Sequence, residues 1–211
     1  MLWHHWLTIG AFLVCIIALM AHFIRLIYLG KPKDYSRKSG NVTKAVAYSA
    51  TVAMIDHKES AYLHIPTYFA GMVYHIGTFV SFLLLLFFFI NMILQITLPQ
   101  WVVWVLIAGL SLSALCGFSL LIKRAVSKPM RSLSNADDFI SNLLVSLFQL
   151  ASVAYLLCSC KELSYYLSAT ILLLYMPVGK LKHLVYFFAA RYHLGFFYGW
   201  RNVWPPKKPL Q

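Results

Sequence analysis

The stretch GMVYHIGTFVSFLLLLFFFINMIL, residues 71–94, decides the fold of this chain. It is almost continuously apolar, and its one histidine is His75. Because about 20 apolar residues in a helix span the hydrocarbon core of a bilayer, the stretch predicts a transmembrane helix. An ionisable side chain inside such a helix is costly in hydrocarbon, so His75 is a candidate functional residue.

The whole chain has the composition of an integral membrane protein. Of its 211 residues, 61% are hydrophobic and 11% are charged, against about 45–50% and about 25% in soluble domains. We therefore expect one membrane domain, residues 1–211, in contact with lipid. The formal net charge of +12 is spread over the connectors between apolar runs. This is typical of cytoplasmic anchoring, so no nucleic-acid partner is expected.

Five apolar runs are long enough to span a bilayer. The sequence predicts an all-α bundle of five transmembrane helices, followed by a cytoplasmic tail at residues 191–211. The predicted helices run from Trp3 to Tyr28, Pro66 to Leu94, Trp101 to Ile122, Phe139 to Cys160, and Tyr165 to Ala190.

The basic residues predict the orientation of this bundle. With five crossings, 17 of the 18 lysines and arginines fall on one side, and Lys161 alone falls on the other. The positive-inside rule then places the N-terminus outside and the C-terminus in the cytoplasm of a multi-pass protein of the cell inner (cytoplasmic) membrane. The first helix has no basic leader and no small-x-small cleavage site, so it is expected to remain in the mature protein.

His75 and His183 are predicted to lie at matching depth in two antiparallel helices. His75 is nine residues after Pro66, about 13 Å, and His183 is seven residues before Ala190, about 11 Å, at 1.5 Å per residue. Two facing imidazoles are suited to the two axial positions of a haem iron. The sequence thus predicts one haem b. An ordinary hydrogen-bonded interior histidine is the alternative at each position.

Small and basic residues near this pair suit a haem. Glycines let a flat macrocycle approach the backbone, and basic side chains pair with propionates. The candidates for the haem environment are Gly71, Gly179, Arg124, Lys182 and Arg191.

The other histidines leave alternatives open. His22 is expected near the depth of the pair, where it would replace a ligand, contact a quinone or simply pack. His64 and His193 would also face one another in an antiparallel pair, which permits a second haem at the cytoplasmic boundary. His4, His5 and His57 are expected at the membrane interface. The four cysteines form no CxxC motif, so an iron–sulfur cluster on this chain is not expected.

Three motifs resemble one family of membrane cytochromes. They are GMVYH at 71–75, MRSLSNADD at 130–138, and MPVGKLKH at 176–183 with NVWPPK at 202–207. With the five-helix layout, the chain resembles the gamma subunit of respiratory nitrate reductases. It is more similar still to the membrane cytochrome subunits linked to dissimilatory sulfite reductase and heterodisulfide reductase.

The chain departs from the di-haem members of that family at two positions. Those members place a second histidine ten residues after the first ligand and another eighteen residues before the second. Leu85 and Tyr165 occupy these positions here. The resemblance therefore implies a mono-haem protein that lacks the outer haem.

The resemblance also implies a role and partners. Such subunits carry electrons between membrane quinone, menaquinone or ubiquinone, and a cytoplasmic iron–sulfur subunit within a respiratory oxidoreductase complex. The chemistry on the terminal substrate belongs to other subunits, so no complete active site is expected here. Candidate quinone residues are His22, Tyr74 and Lys180. The alternative is a haem-free membrane anchor or assembly subunit. A small transporter is disfavoured because no acidic residue lies within the predicted helix interiors.

Overall fold

The computed structural model describes residues 1–29, 34–54 and 64–206. Within these residues the chain is all-helical and contains no strand. The helices are α1 (Trp3–Leu29), α2 (Val42–Ala50), α3 (Ile65–Leu94), α4 (Gln100–Val126), α5 (Lys128–Ser132), α6 (Ala136–Leu157), α7 (Glu162–Tyr175) and α8 (His183–Trp200). Three short 3₁₀ turns lie at Val52–Met54, Ser159–Lys161 and Lys180–Lys182.

Four of these helices, α1, α3, α4 and α6, are long and apolar enough to cross a membrane. Their ends agree with the predicted ends within four residues, because long apolar runs are the strongest sequence signal of a helix. A fifth crossing exists if the interrupted segment formed by α7 and α8 counts as one span. The fold therefore has the class expected of an α-helical membrane protein.

The predicted fifth helix, from Tyr165 to Ala190, is not continuous. Helix α7 ends at Tyr175, a turn and a 3₁₀ segment follow, and α8 begins at His183. Pro177 lies at this break. A proline has no backbone N–H, and its ring clashes with the carbonyl four residues earlier, so it ends or kinks a helix. The prediction of a single helix was wrong because the apolar composition of the run outweighed this proline.

Two further corrections follow from this break. His183 is the first residue of α8, and Ala190 lies within that helix rather than at its end, so the depth of His183 counted back from Ala190 does not hold. The predicted end of the fifth helix at Ala190 is also wrong, because α8 continues to Trp200. Lys207 and Lys208 lie outside the described residues.

The residues group into two compact units, which we describe separately. The first unit comprises Met1–Cys15 and His64–Leu181. In it, α3, α4 and α6 pack closely through small residues. Ser113 Oγ on α4 donates to the backbone carbonyl of Val73 at 3.2 Å, and Gly77 faces that serine. Small residues allow such close approach between apolar helices.

Helix α6 begins with a complete capping box. The Asn135 side chain accepts a hydrogen bond from the backbone N–H of Asp138, and the Asp138 carboxylate accepts one from the N–H of Asn135. These bonds satisfy backbone donors that a helix start leaves without intrahelical partners. The capping box thus places the Asp138 side chain at the first turn of the helix.

The second unit comprises Ile16–Leu63 and Lys182–Gln211. In it, α2 packs against α8, and a Cβ at Gly195 would lie 2.5 Å from Val46 Cα. Helix α2 falls in a segment expected to be a loop, and Asn41 caps it by accepting from Lys44 N–H. Asp34 lies in the segment just before α2 and contacts Ser36 and Arg201. Hydrogen bonds from Ser36 and the guanidinium of Arg201, 2.8 Å away, lower the pKa of the Asp34 carboxyl.

Candidate functional site

His75 lies within α3 with an exposed side chain. It is ten residues from the helix start, about 15 Å along the axis. Gly71 lies one turn earlier on the same helix face. No atom lies within 4 Å of the position that a Gly71 Cβ would occupy. This face of α3 therefore offers an accessible imidazole beside an open stretch of backbone.

His183 belongs to the second unit, and its side chain is also exposed. The residues that follow it line an apolar cleft of about 300 Å³. Its lining residues are Leu184, Val185 and Phe188 of α8 and Ile16, Leu19, Met20 and Phe23 of α1. Since His75 and His183 fall in different units, their pairing on one iron stays a prediction.

The basic and small residues predicted around a haem have different surroundings. Lys182 and Arg191 are both half-buried in the second unit with His183, and the Arg191 guanidinium lies 5.4 Å from the centre of the Phe187 ring. Gly179 does not face open space, because a Cβ there would lie 2.5 Å from Tyr175 Cε1. Its lack of a side chain accommodates the turn after α7.

Arg124 and Lys180 share one carboxylate, Asp138. Arg124 Nη1 lies 3.1 Å from Asp138 Oδ1, and Lys180 Nζ bonds to the same oxygen. The Asp138 side chain is only 5% exposed, so this carboxylate depends on its two cations for compensation. The predicted haem and quinone roles of Arg124 and Lys180 would thus operate beside an existing ion-pair cluster.

Tyr74 is buried and sits in a polar network between helices. Its hydroxyl donates to the carbonyl of Asn142 at 2.9 Å and accepts from Ser146 Oγ at 3.2 Å. Gln149 Nε2 donates to the Tyr74 carbonyl at 3.3 Å and to Thr78 Oγ1 at 3.0 Å. These bonds join α3 to α6, so the hydroxyl proposed for a quinone already serves helix packing.

A shallow, open depression on one face of α1, in the second unit, is lined by His22, Ala18, Ala21 and Arg25. Tyr74 and Lys180, the other two candidate quinone residues, do not line this depression. An imidazole and a guanidinium along one face suit the carbonyl oxygens of a quinone, since both groups donate hydrogen bonds.

The residues of the possible second haem have separate environments. His64 is exposed and precedes the first residue of α3 in the first unit. His193 is half-buried in the second unit, where its Nε2 lies 3.1 Å from the Leu26 carbonyl. Because a carbonyl only accepts, Nε2 carries the proton in this contact. An iron at His193 would have to bind through Nδ1, or the hydrogen bond from Nε2 to the Leu26 carbonyl would have to break.

The two positions at which the sequence predicts the loss of an outer haem are filled by buried side chains. Leu85 is 1% exposed and Tyr165 is 0% exposed. The Tyr165 ring stacks on Phe148 and Tyr155, with centroid distances of 5.7 and 5.1 Å, and meets the edge of Phe88. This aromatic cluster occupies the interior between α3, α6 and α7.

Sequence reasoning missed two polar clusters. One is centred on Asp138, which the motif at 130–138 contains but whose burial depends on the helix start at Ala136. The other joins His4 and His5 to Glu162, which lies 157 residues after His5. The adjacent histidines were the only signal for it in the sequence, and they were interpreted as interfacial.

The described helices define a polytopic α-helical membrane protein as the class of this chain. Comparisons with family models, curated proteins and solved structures found no match.

Proposed function

We propose that this chain is the haem b membrane subunit of a respiratory oxidoreductase in the cytoplasmic membrane. It binds one haem through His75 and His183 and passes electrons between the quinone pool and a cytoplasmic iron–sulfur subunit. The partner subunits and the quinone are those that the resemblance of the sequence motifs implies. The terminal reaction takes place on another subunit.

The observation that carries the proposal is a contrast between two pairs of positions. His75 and His183 keep exposed imidazoles on apolar helices, and imidazole nitrogen is a common axial ligand of haem iron. Leu85 and Tyr165 are both buried, Tyr165 within an aromatic cluster, and neither provides a nitrogen ligand. The contrast favours one haem rather than two.

The surroundings of each histidine fit a porphyrin. Gly71 leaves open space one turn from His75, and the cleft beyond His183 is lined by apolar side chains. The half-buried Lys182 and Arg191 lie on the His183 side and are suited to holding propionates. When bound, haem supplies a one-electron carrier, whose potential depends on its axial ligands and on burial. The apolar lining from this chain excludes water from that site.

For the quinone we favour the face of α1 at His22. Its imidazole and the guanidinium of Arg25 offer donors to the quinone oxygens. The basic connectors place this end of α1 on the cytoplasmic side, under the orientation with the N-terminus outside. The basic connectors on the cytoplasmic side also suit docking of a cytoplasmic partner.

The test is the haem content of the purified chain, measured by pyridine haemochrome per mole of protein. We expect one haem per chain in the wild type and loss of the low-spin spectrum in His75→Ala and in His183→Ala. His64→Ala is the matched control and should keep the haem. Normal haem content in His183→Ala would refute the ligand assignment.

The same measurement decides the alternative. If the chain contains no haem even when it is expressed with an ample supply of haem, it is instead a membrane anchor or assembly subunit. Two haems per chain, both retained in a His64→Ala, His193→Ala double variant, would overturn the mono-haem proposal.

A further inference from the structure

A compact group of ligand atoms lies at the start of α1, in the first unit. His4 and His5 belong to the first turn of this helix, and Glu162 is the first residue of α7. One ligand atom from each of the three residues lies within 4.8 Å of the other two. None of these residues belongs to the proposed haem site.

His4 is deeply buried without a hydrogen-bond partner. The residue is 4% exposed, and neither ring nitrogen forms a hydrogen bond with the described residues. Its Nε2 lies 3.8 Å from Glu162 Oε1, which is too long for a hydrogen bond. A buried polar group without a partner is destabilising, so an additional group that pairs with His4 would be stabilising.

His5 is the second histidine of the group. Its Nδ1 accepts a hydrogen bond from the backbone N–H of Leu2 at 2.9 Å, so Nδ1 carries no proton. The proton therefore lies on Nε2, which donates to Glu162 Oε1 at 2.6 Å. The Tyr166 ring packs edge-on against His5, with the ring centroids 4.6 Å apart, and shields this contact.

We propose that His4, His5 and Glu162 bind a divalent transition-metal ion, with zinc as the best match. Two imidazoles and a carboxylate are a zinc ligand set that leaves a fourth position for water. Tetrahedral bonds of about 2.0–2.1 Å place ligand atoms about 3.3 Å apart. The observed separations from Glu162 Oε1, 2.6 and 3.8 Å, lie on either side of that value. Each of these two separations differs from the tetrahedral value by less than about 1 Å, and all three ligand atoms lie within 4.8 Å of one another.

Zinc binding requires one proton to change place. If His5 binds through Nε2, its proton moves to Nδ1, the ring stays neutral, and the ion replaces the proton between His5 and Glu162. The Leu2 N–H then loses its acceptor and turns to water, which is feasible because Leu2 is 56% exposed. The ion also gives His4 the partner that it lacks, and it links the start of α1 to the start of α7.

The experiment uses the full-length chain in detergent, stripped with a chelator and titrated with zinc alone. We expect one zinc per chain by elemental analysis, and a rise in unfolding temperature on adding zinc. The key variant is His4→Ala, because it removes a ligand and leaves the hydrogen bond between His5 and Glu162 in place. Its zinc affinity should fall at least about tenfold, and zinc should no longer raise its unfolding temperature.

Two controls make the outcome decisive. His64→Gln removes an exposed histidine of the same unit and should bind zinc as the wild type does. Glu162→Gln should also lose zinc, and tetrahedral Co²⁺ absorption bands should be present in the wild type but absent in this variant. Less than one saturable zinc per chain, or equal affinity in wild type and His4→Ala, would overturn the proposal.

Discussion

Replacement of Gly117 by alanine is expected to destabilise the first unit. Gly117 lies on α4, and a Cβ there would lie 2.5 Å from Ser146 Oγ and 2.8 Å from Tyr74 Cδ2. Neither neighbour moves easily, because the Tyr74 hydroxyl is hydrogen-bonded to Asn142 and to Ser146. Overpacking of this kind costs about 1–3 kcal/mol, while replacing a helical glycine by alanine gains about 0.5–1 kcal/mol.

Gly109 provides the matched control on the same helix. No atom lies within 4 Å of a Cβ at Gly109, so Gly109→Ala keeps the helix-propensity gain without the clash. The difference between the two variants isolates the clash, about 1–3 kcal/mol. At about 2–4 °C per kcal/mol for a chain of this size, Gly117→Ala should unfold about 2–12 °C below Gly109→Ala. Thermal unfolding of both proteins in one detergent measures this. Equal unfolding temperatures would refute the packing of Tyr74 between α3, α4 and α6.

Two further predictions concern charge and orientation. Asp138→Asn keeps the shape of the cap but removes the charge that faces two cations. It should lower the free energy of unfolding, measured by denaturant titration, by about 1–3 kcal/mol. Asp137→Asn is the control and should change this free energy by less than about 0.5 kcal/mol. An equal effect of both variants would count against the ion-pair cluster. The exposed Cys158 and Cys160 should react with an impermeant maleimide on intact cells. In a second variant, Cys158 and Cys160 are replaced by serine and Ser39 by cysteine, and the new cysteine should react only after lysis. Labelling of Ser39→Cys in intact cells would reverse the proposed orientation.

The membrane-spanning helices are the part of the fold that could be predicted from the sequence. The apolar run that ends at Leu94 ends there in the structure as well, and Trp3 begins the first helix as expected. Pro177 was visible in the sequence, but its effect was underestimated beside the long apolar run around it. Helix α2 was missed because it is only nine residues long and depends on packing against α8.

The candidate site was predictable only in part. An apolar run with a histidine stands out by composition, which is why His75 and His183 were predicted as ligands, and that assignment stays a prediction. The partners of Arg124 and Lys180 were not visible, because Asp138 looked like a loop residue until the capping box set it at the start of α6. Tyr74 likewise looked like a ligand-facing group, and the structure uses its hydroxyl to join two helices.

What the sequence by itself determined is the class of the protein, its four continuous apolar helices and the asymmetry of its basic residues. These properties are sums over neighbouring residues, and hydrophobic transfer acts on each segment almost independently of the others. Only the tertiary structure decided which polar groups meet. The cluster of His4, His5 and Glu162 joins residues more than 150 positions apart, and the aromatic interior at Tyr165 draws on three helices. Such contacts depend on how the helices pack, because a hydrogen bond or a metal–ligand bond forms only when the two atoms lie within a few ångströms of each other.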